Sequence, residues 1–279
     1  MNKITTCIST NNNLDYLKIA IKSVRQNAYY KNMPIIIHAE NCNDGTDGWL
    51  EENKDKYDLE IYIDHNNHPK GIGGGMNFCV DKAKTEFVNI IHSERVIASS
   101  YRIQPDIFND QPRPGTVFHP LETFGAYHDD FKSDDYDEWA NEFSKLNDVR
   151  VRKGGGAGFF CRKRDYIHIG GNDPLFAPAS WDDMDLFSRM QMEGYHFAMT
   201  TKSTVWHFAA RGSHFRDEAK DEFNKKSKRQ IDAEQANIQK WINKWGRMPE
   251  YDLDTFVIPI TDTGVNPIMD FKINLEQQN

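Results

Sequence analysis

The sequence predicts an α/β protein whose mostly parallel sheet is flanked by helices, and three observations predict it. Over the first ~95 residues, short apolar runs suited to buried strands alternate with stretches of helical periodicity. That alternation is the pattern of right-handed βαβ units. A group able to carry chemistry, His92-Ser93-Glu94, follows the fourth strand run directly, at the strand end where open α/β sheets bind ligands.

Taken in order, Ile4 to Ser9 reads as a buried strand. Leu14, Leu17, Ile21 and Val24 then mark one face of a helix entered through Thr10-Asn11-Asn12-Asn13. Pro34 to Ala39, with Ile35-Ile36-Ile37, is a second strand ending at Glu40-Asn41. A helix starts near Asp47 and carries Trp49 and Leu50; Leu59 to Ile63 alternates as a third strand. After the turn His68-Pro69-Lys70-Gly71, a helix from Gly74 to Lys84 leads into the fourth strand, Phe87 to Ile91.

From 98 to 150 the regularity is lost. Pro105, Pro112, Pro114 and Pro120 break long elements and Asp129 to Glu138 is dense in acid, so this stretch reads as an irregular insertion. Order returns with Gly154-Gly155-Gly156-Ala157-Gly158 and the strand Phe159-Phe160-Cys161. Pro178 and Ser180 precede a helix marked by Met184, Phe187 and Met190, with Gly194 just past its end. Residues 216–247 form a charged helical stretch in which Phe223, Ile231, Ile238, Trp241 and Ile242 pack on the domain. The expected division is a domain over 1–215 and a C-terminal helical extension and tail over 216–279. The tail's apolar clusters, Phe256-Val257-Ile258 and Ile268-Met269, suit a docked tail or a homo-oligomer arm.

Composition narrows the function. Asp and Glu number 42 against 34 Lys and Arg, a formal charge of −8, and no basic stripe is interleaved with aromatics. Nucleic acid is thereby excluded as the main partner, and an anionic small molecule would need a metal ion or backbone donors. Cys7, Cys42, Cys79 and Cys161 form no Cys-x-x-Cys pair, which excludes a cysteine zinc site, and four dispersed cysteines in a chain of this size argue against a disulfide framework. No apolar run approaches ~18 residues and the chain begins directly with strand-like sequence. The expectation is a cytoplasmic protein without a transmembrane segment, with peripheral membrane association left open.

One block concentrates acid: Trp181-Asp182-Asp183-Met184-Asp185-Leu186 at the start of a helix. Free N–H groups and the helix dipole favour carboxylates there, and Ser180-x-x-Asp183 has capping-box spacing, so capping is the plain explanation. The company it keeps points further. Ser9-Thr10-Asn11 after the opening strand, Glu40-Asn41-Cys42-Asn43-Asp44-Gly45-Thr46, Gly73-Gly74-Gly75-Met76-Asn77, His92-Ser93-Glu94, and Ile169-Gly170-Gly171-Asn172-Asp173 followed by the acidic block and Arg189 occur in that order. From Ile4 to about His214 this series resembles the inverting family 2 glycosyltransferases, which have the GT-A (nucleotide-diphospho-sugar transferase) fold, Rossmann-like in its sheet.

The resemblance implies sugar transfer from a nucleotide-sugar donor, UDP-sugar being weakly favoured, to a carbohydrate or glycoconjugate acceptor, in glycan or surface polysaccharide synthesis. It implies that Thr10, Asn11, Asn12, Glu40, Gly73, Gly74, Asn77, His92 and Ser93 meet the donor, and the irregular 98–150 stretch reads as an insertion or acceptor-side segment. Glu40 would accept hydrogen bonds from a base imide or ribose hydroxyl, although turn chemistry accounts equally well for its Asn-rich neighbours. The Gly71–Met76 run has Met76 where a dinucleotide fingerprint needs Gly or Ala, so close approach to a ribose or phosphate competes with a simple tight turn.

His92-Ser93-Glu94 stands where the family has an Asp-x-Asp metal motif. A divalent cation would neutralise charge developing on the leaving diphosphate. Glu94 and, by the resemblance, His207 are its expected ligands; a mixed Glu/His set suits Mn²⁺ better than Mg²⁺. Asp183 is the expected general base, by the resemblance, with Asp182 orienting it or binding the acceptor. Asp185 and Arg189 read as an i,i+4 structural pair. A catalytically weakened sugar-nucleotide-binding protein is the alternative, motivated by His92. A nucleotidyltransferase is disfavoured, since Thr10-Asn11-Asn12-Asn13 lacks the glycine and positive charge that hold a triphosphate.

Overall fold

Uncharged, β-branched runs become strands covered on both faces. The computed structural model describes residues 4–103, 115–124, 131–146, 151–152, 158–208 and 228–247. Strands β1 (Ile4–Thr10), β2 (Ile35–Glu40), β3 (Leu59–Asp64) and β4 (Phe87–His92) pair in parallel in the order β3-β2-β1-β4. Every residue of β1 and β2 is buried, as expected where helices cover both faces. Alternate side chains divide between two cores. Ile35 and Ile37 join Leu17, Ile21, Val24 and Leu50 from helices α1 (Leu14–Gln26) and α2 (Thr46–Tyr57). Ile36 points the other way, to Met76, Cys79 and Val80 of α3 (Gly71–Lys82).

Beyond β4 the sheet becomes mixed. Next to β4 lies antiparallel β8 (Phe159–Arg162), then β6 (Thr116–Phe124) antiparallel to β8. Strand β9 (His196–His207) is parallel to β6, and β5 (Arg95–Ile97) closes the order antiparallel to β9, which also pairs with β7 (Val151–Arg152). Helices α4 (Ser133–Leu146), α5 (Lys163–His168), α6 (Asp182–Met192) and α7 (Lys228–Trp245) complete the described elements. The architecture is thus the α/β class expected, a curled sheet between helices. The four cysteines are free and buried, and no helix among the described residues is long and apolar enough to cross a membrane.

Several expectations need correction. The segment 98–150 contributes β6, a nine-residue strand inside the sheet, as well as α4. Pro120 is accommodated because the β6–β9 register shifts between Pro120 and Leu121, a bulge that spares the missing N–H. Helix α3 starts at Gly71, three residues before the expected Gly74, because both Glu40 carboxylate oxygens accept its first N–H groups. The Ser180–Asp183 capping box does not form: Trp181 is the N-cap and no side chain caps α6. Helix α7 buries Asn237, Trp241 and Trp245 and leaves Ile231 exposed. Gly154 to Ala157, Phe223 and the tail clusters at 256–258 and 268–269 lie outside the described residues.

Candidate active site at the carboxyl edge of the sheet

Parallel register brings the strand ends to one edge. Ser9 pairs with His92, Thr10 with Ala39, and Glu40 with Asp64. The Asn-rich run after β1 is locked to the turn after β2: Asn11 Nδ2 donates to the Glu40 carbonyl (2.5 Å), and Asn43 N–H to Asn12 Oδ1 (2.5 Å). Asp44 starts two helices with one carboxylate, accepting from Leu14 N (3.0 Å) and from Thr46 N (3.1 Å). Thr10 Oγ1 and Asn13 Oδ1 are buried here with no hydrogen-bond partner among the described residues.

Glu40 is buried, and its carboxylate accepts from Lys70 N (2.8 Å) and Gly71 N (2.9 Å). An anion at a helix N-terminus is favourable, so this residue seats α3 whatever else it does. His38, two positions back on the same face, and Asp64 on β3 complete a set whose ligand atoms lie within 4.8 Å of one another. These donors are compatible with a divalent cation, although the Lys70 ammonium already stands 3.0 Å from Asp64. Burial, ahead of every other influence, pulls the His38 imidazole below its usual range, which keeps it neutral.

The turn after β4 places Glu94 between two imidazoles. Its Oε1 lies 3.4 Å from His92 Nδ1 and 3.6 Å from His207 Nε2. Strand β5 aligns Arg95 with His207 at the end of β9. Ser93 Oγ donates to Glu94 Oε2 (3.2 Å) and accepts from Asn13 Nδ2 (2.9 Å), so Ser93 braces the carboxylate. Burial pushes the Glu94 carboxyl up, but hydrogen bonding from His207 and His92 outweighs it and holds the group well below the carboxylate range. An ionised carboxylate beside imidazole nitrogens is a donor set that fits Mn²⁺.

Glu122, from β6, was not anticipated. Its carboxylate faces Arg95 Nη2 (2.9 Å) and lies 3.5 Å from His207 Nδ1. Burial and Arg95 depress the His207 pKa, yet Glu122 and Glu94 raise it more, and the imidazole ends above its usual value. The signal in the sequence was faint: a single acid two residues after Pro120.

The acidic block meets the same edge through α3. A Cβ on Gly73 would come 2.9 Å from Asn172 Cβ and 3.0 Å from Asp182 Oδ2. The absence of a side chain at Gly73 thus admits Asn172 and seats Asp182 on the first turn of α3. At Gly74 the added Cβ would meet the Lys70 side chain, at 2.6 Å. Ile72 N donates to Pro178 O (2.9 Å), fixing the loop before α6 to the same turn. Asn77 is engaged likewise: its Oδ1 accepts from Tyr166 OH (2.7 Å) and Asn172 N (2.8 Å), and its Nδ2 donates to Asn172 O (2.8 Å).

Asp182 and Asp183 are partly buried neighbours at the helix start. Burial, and next the Asp183 carboxylate, raise the Asp182 carboxyl to about 7. Asp183 Oδ1 accepts from Met184 N (2.8 Å). Asp185 is fully buried and structural: it pairs with Arg189 (2.8 Å) and Lys244 (2.6 Å), while Arg189 donates to the carbonyls of Ile169 and Gly171 (2.6 Å each). A cavity of about 360 Å³ lined by Lys18, Lys22, Trp49, Lys56 and Tyr57 lies elsewhere, between α1 and α2, and none of the residues above lines it.

The strand-end polar edge and the acidic start of α6 are thus joined through the first turn of α3 in an α/β protein with a curled, mostly parallel sheet. The family described as glycosyltransferase like family 2 matches residues 2–233, and the chain belongs to that family. Comparison with curated proteins gives no match. Among solved structures, S. aureus TarS 1–349 in complex with UDP-GlcNAc is similar at TM-score 0.56 and 13% identity, over 76% of this chain and 60% of that one. GalNAc-T7 with UDP, GalNAc and Mn²⁺ is similar at TM-score 0.57 and 12% identity, over 75% of this chain and 44% of that one. Mannosyltransferase PcManGT from Pyrobaculum calidifontis, in complex with GDP-Man and Mn²⁺, is similar at TM-score 0.55 and 14% identity, over 76% of this chain and 59% of that one. The chain thus spans less than two thirds of each of these proteins, and the shared feature is the GT-A fold.

Proposed function

We propose that the protein transfers a sugar from a nucleotide-sugar donor to an acceptor hydroxyl with inversion at the anomeric carbon. The observation that carries this reading is Asp182 seated against Gly73 on the first turn of α3, whose start Glu40 holds at the strand ends, with Asp183 next to it at the start of α6. The donor lies along that edge, against Thr10, Asn11, Asn12 and the turn after Glu40, with His92 and Ser93 nearer the diphosphate. Glu94 and His207 would hold a divalent cation, Mn²⁺ or Mg²⁺, whose contribution is to neutralise charge on the departing diphosphate. Complexes of similar folds with UDP, UDP-GlcNAc, GDP-Man and Mn²⁺ support the donor class and the cation.

Asp183 accepts the proton of the acceptor hydroxyl as that oxygen attacks from the face opposite the nucleotide. Asp182, beside it, orients the base and makes the site's protonation sensitive to pH near neutrality. The acceptor is a carbohydrate or glycoconjugate. The test is thermal stability with UDP, GDP, dTDP and CMP, each with Mn²⁺. A nucleotide at 100 times its dissociation constant should stabilise by about 2.7 kcal/mol. No shift with any of the four would refute the donor class.

A further inference from the structure

The family match ends at residue 233, yet the loop that delivers Asp182 and Asp183 is held from beyond that point. Asn237, buried in α7, directs its side-chain amide at three carbonyls of one turn: Phe176 at 2.9 Å, Ala179 at 2.8 Å and Ser180 at 3.0 Å. Its two amide hydrogens are thus shared among three acceptors that would otherwise need other donors. Lys240 Nζ adds the Ala177 carbonyl at 3.4 Å. Trp241 stacks on Trp245 (5.2 Å between centroids) and meets Phe176 and Trp181 at 6.3 and 6.1 Å. One turn on, Lys244 stands 2.7 Å from Asp173, and Trp245 Nε1 donates to Asp185 (3.0 Å).

What is held is strained. Ser180 and Trp181 take φ of 79° and 70°, the left-handed region that side-chain-bearing residues adopt at a cost. Such a conformation persists only where the surroundings over-determine it, and it clusters at functional sites. Here the surroundings are α7 on one side and, on the other, α3, where Gly71 and Gly73 admit Pro178 and Asp182.

We propose that α7 is part of the catalytic unit and that Asn237 is a positioning residue: by binding the 176–180 carbonyls it fixes the strained turn and aims the Asp182–Asp183 pair at the acceptor. This rests on the reading of Asp183 as the base. Asn237 itself touches no reacting atom.

The test uses the full chain carrying Asn237→Ala, or Asn237→Asp, which keeps the shape but sets a carboxylate against carbonyls. Misplacement of about 1 Å can cost up to 10²-fold, so kcat should fall at least ~10-fold in both. Nucleotide affinity should stay within about twofold, because the donor is held by the β1, β2 and β4 ends. Amide exchange should quicken across 176–183 and not in β1–β4. A purely structural role would lower the melting temperature yet leave kcat per folded molecule unchanged, and that result overturns the proposal. Asn237→Ser, which retains one donor, serves if the other two fail to fold; normal turnover there overturns it equally. A wild-type chain inactive with every nucleotide sugar refutes the transferase reading itself. An active wild type, a dead Asp183→Asn and a normal Asn237→Ala refute the role of α7 alone.

Discussion

Replacing Asp182 with Asn should stabilise the protein, and increasingly so as pH rises from 4 to 8. Asp182 ionises near 3.8 when unfolded and near 7 when folded, because burial and the neighbouring Asp183 carboxylate disfavour its charge. Between those values the folded chain binds more protons than the unfolded one, so this residue's contribution to stability falls as pH rises and is lowest above pH 7. At 1.36 kcal/mol per pKa unit the full shift corresponds to about 4 kcal/mol. Asp182 is only partly buried and solvent screens its charge, so about half of that, ~2 kcal/mol, is expected at pH 8. Asn carries no charge at any pH and removes the penalty. In a domain of this size ~2 kcal/mol raises the melting temperature by ~4–8 °C. Calorimetric melts of wild type and Asp182→Asn at pH 5 and pH 8 read it directly. A difference that does not grow with pH, or that has the opposite sign, refutes the account of the pair as two carboxylates forced together for function.

Three further outcomes follow from the same contacts. Mn²⁺ should strengthen nucleotide binding, and Glu94→Ala should remove most of that gain; equal affinity with Mn²⁺ and with EDTA, by titration calorimetry, would argue for a metal-free site. Gly75→Ala should destabilise by about 1–3 kcal/mol in denaturant titrations, because the added methyl would overlap Ser9 Oγ and reach His38 Nδ1 at 2.8 Å. Asp185→Ala should cost about 3–5 kcal/mol in the same assay by removing the carboxylate that pairs with the buried Arg189, while Lys244 keeps Asp173, and a loss below ~1 kcal/mol would show the Asp185–Arg189 pair to be weak.

The parallel half of the fold was legible because its determinants are local. Ile35-Ile36-Ile37, the helical face of Leu17, Ile21 and Val24, and the acid after β4 each declare themselves within a few residues. What escaped depends on partners far away in the chain. The start of α3 is set by Glu40, thirty residues earlier, so a glycine run that reads as a turn begins a helix. Pro120 argued against a strand, and only the register shift against β9 makes room for it; Glu122 was hidden with it. The acidic block was recognisable as a motif, but its presentation was not. Capping-box spacing pointed to Ser180, whereas the turn is shaped by left-handed residues gripped by Asn237, 57 positions beyond Ser180.

The central claim is that the acid pair performs chemistry rather than capping a helix, and Asp183→Asn tests it most directly. The amide keeps the shape and one oxygen to accept from Met184, but it cannot take the acceptor's proton. Single-turnover transfer by wild type and Asp183→Asn, alongside nucleotide affinity, separates the two roles. The account predicts a fall of at least 10²–10⁴-fold in transfer with nucleotide affinity nearly unchanged. Transfer at the wild-type rate, with only a stability change of about 0.5–2 kcal/mol, would contradict it and leave the pair a structural feature of the start of α6.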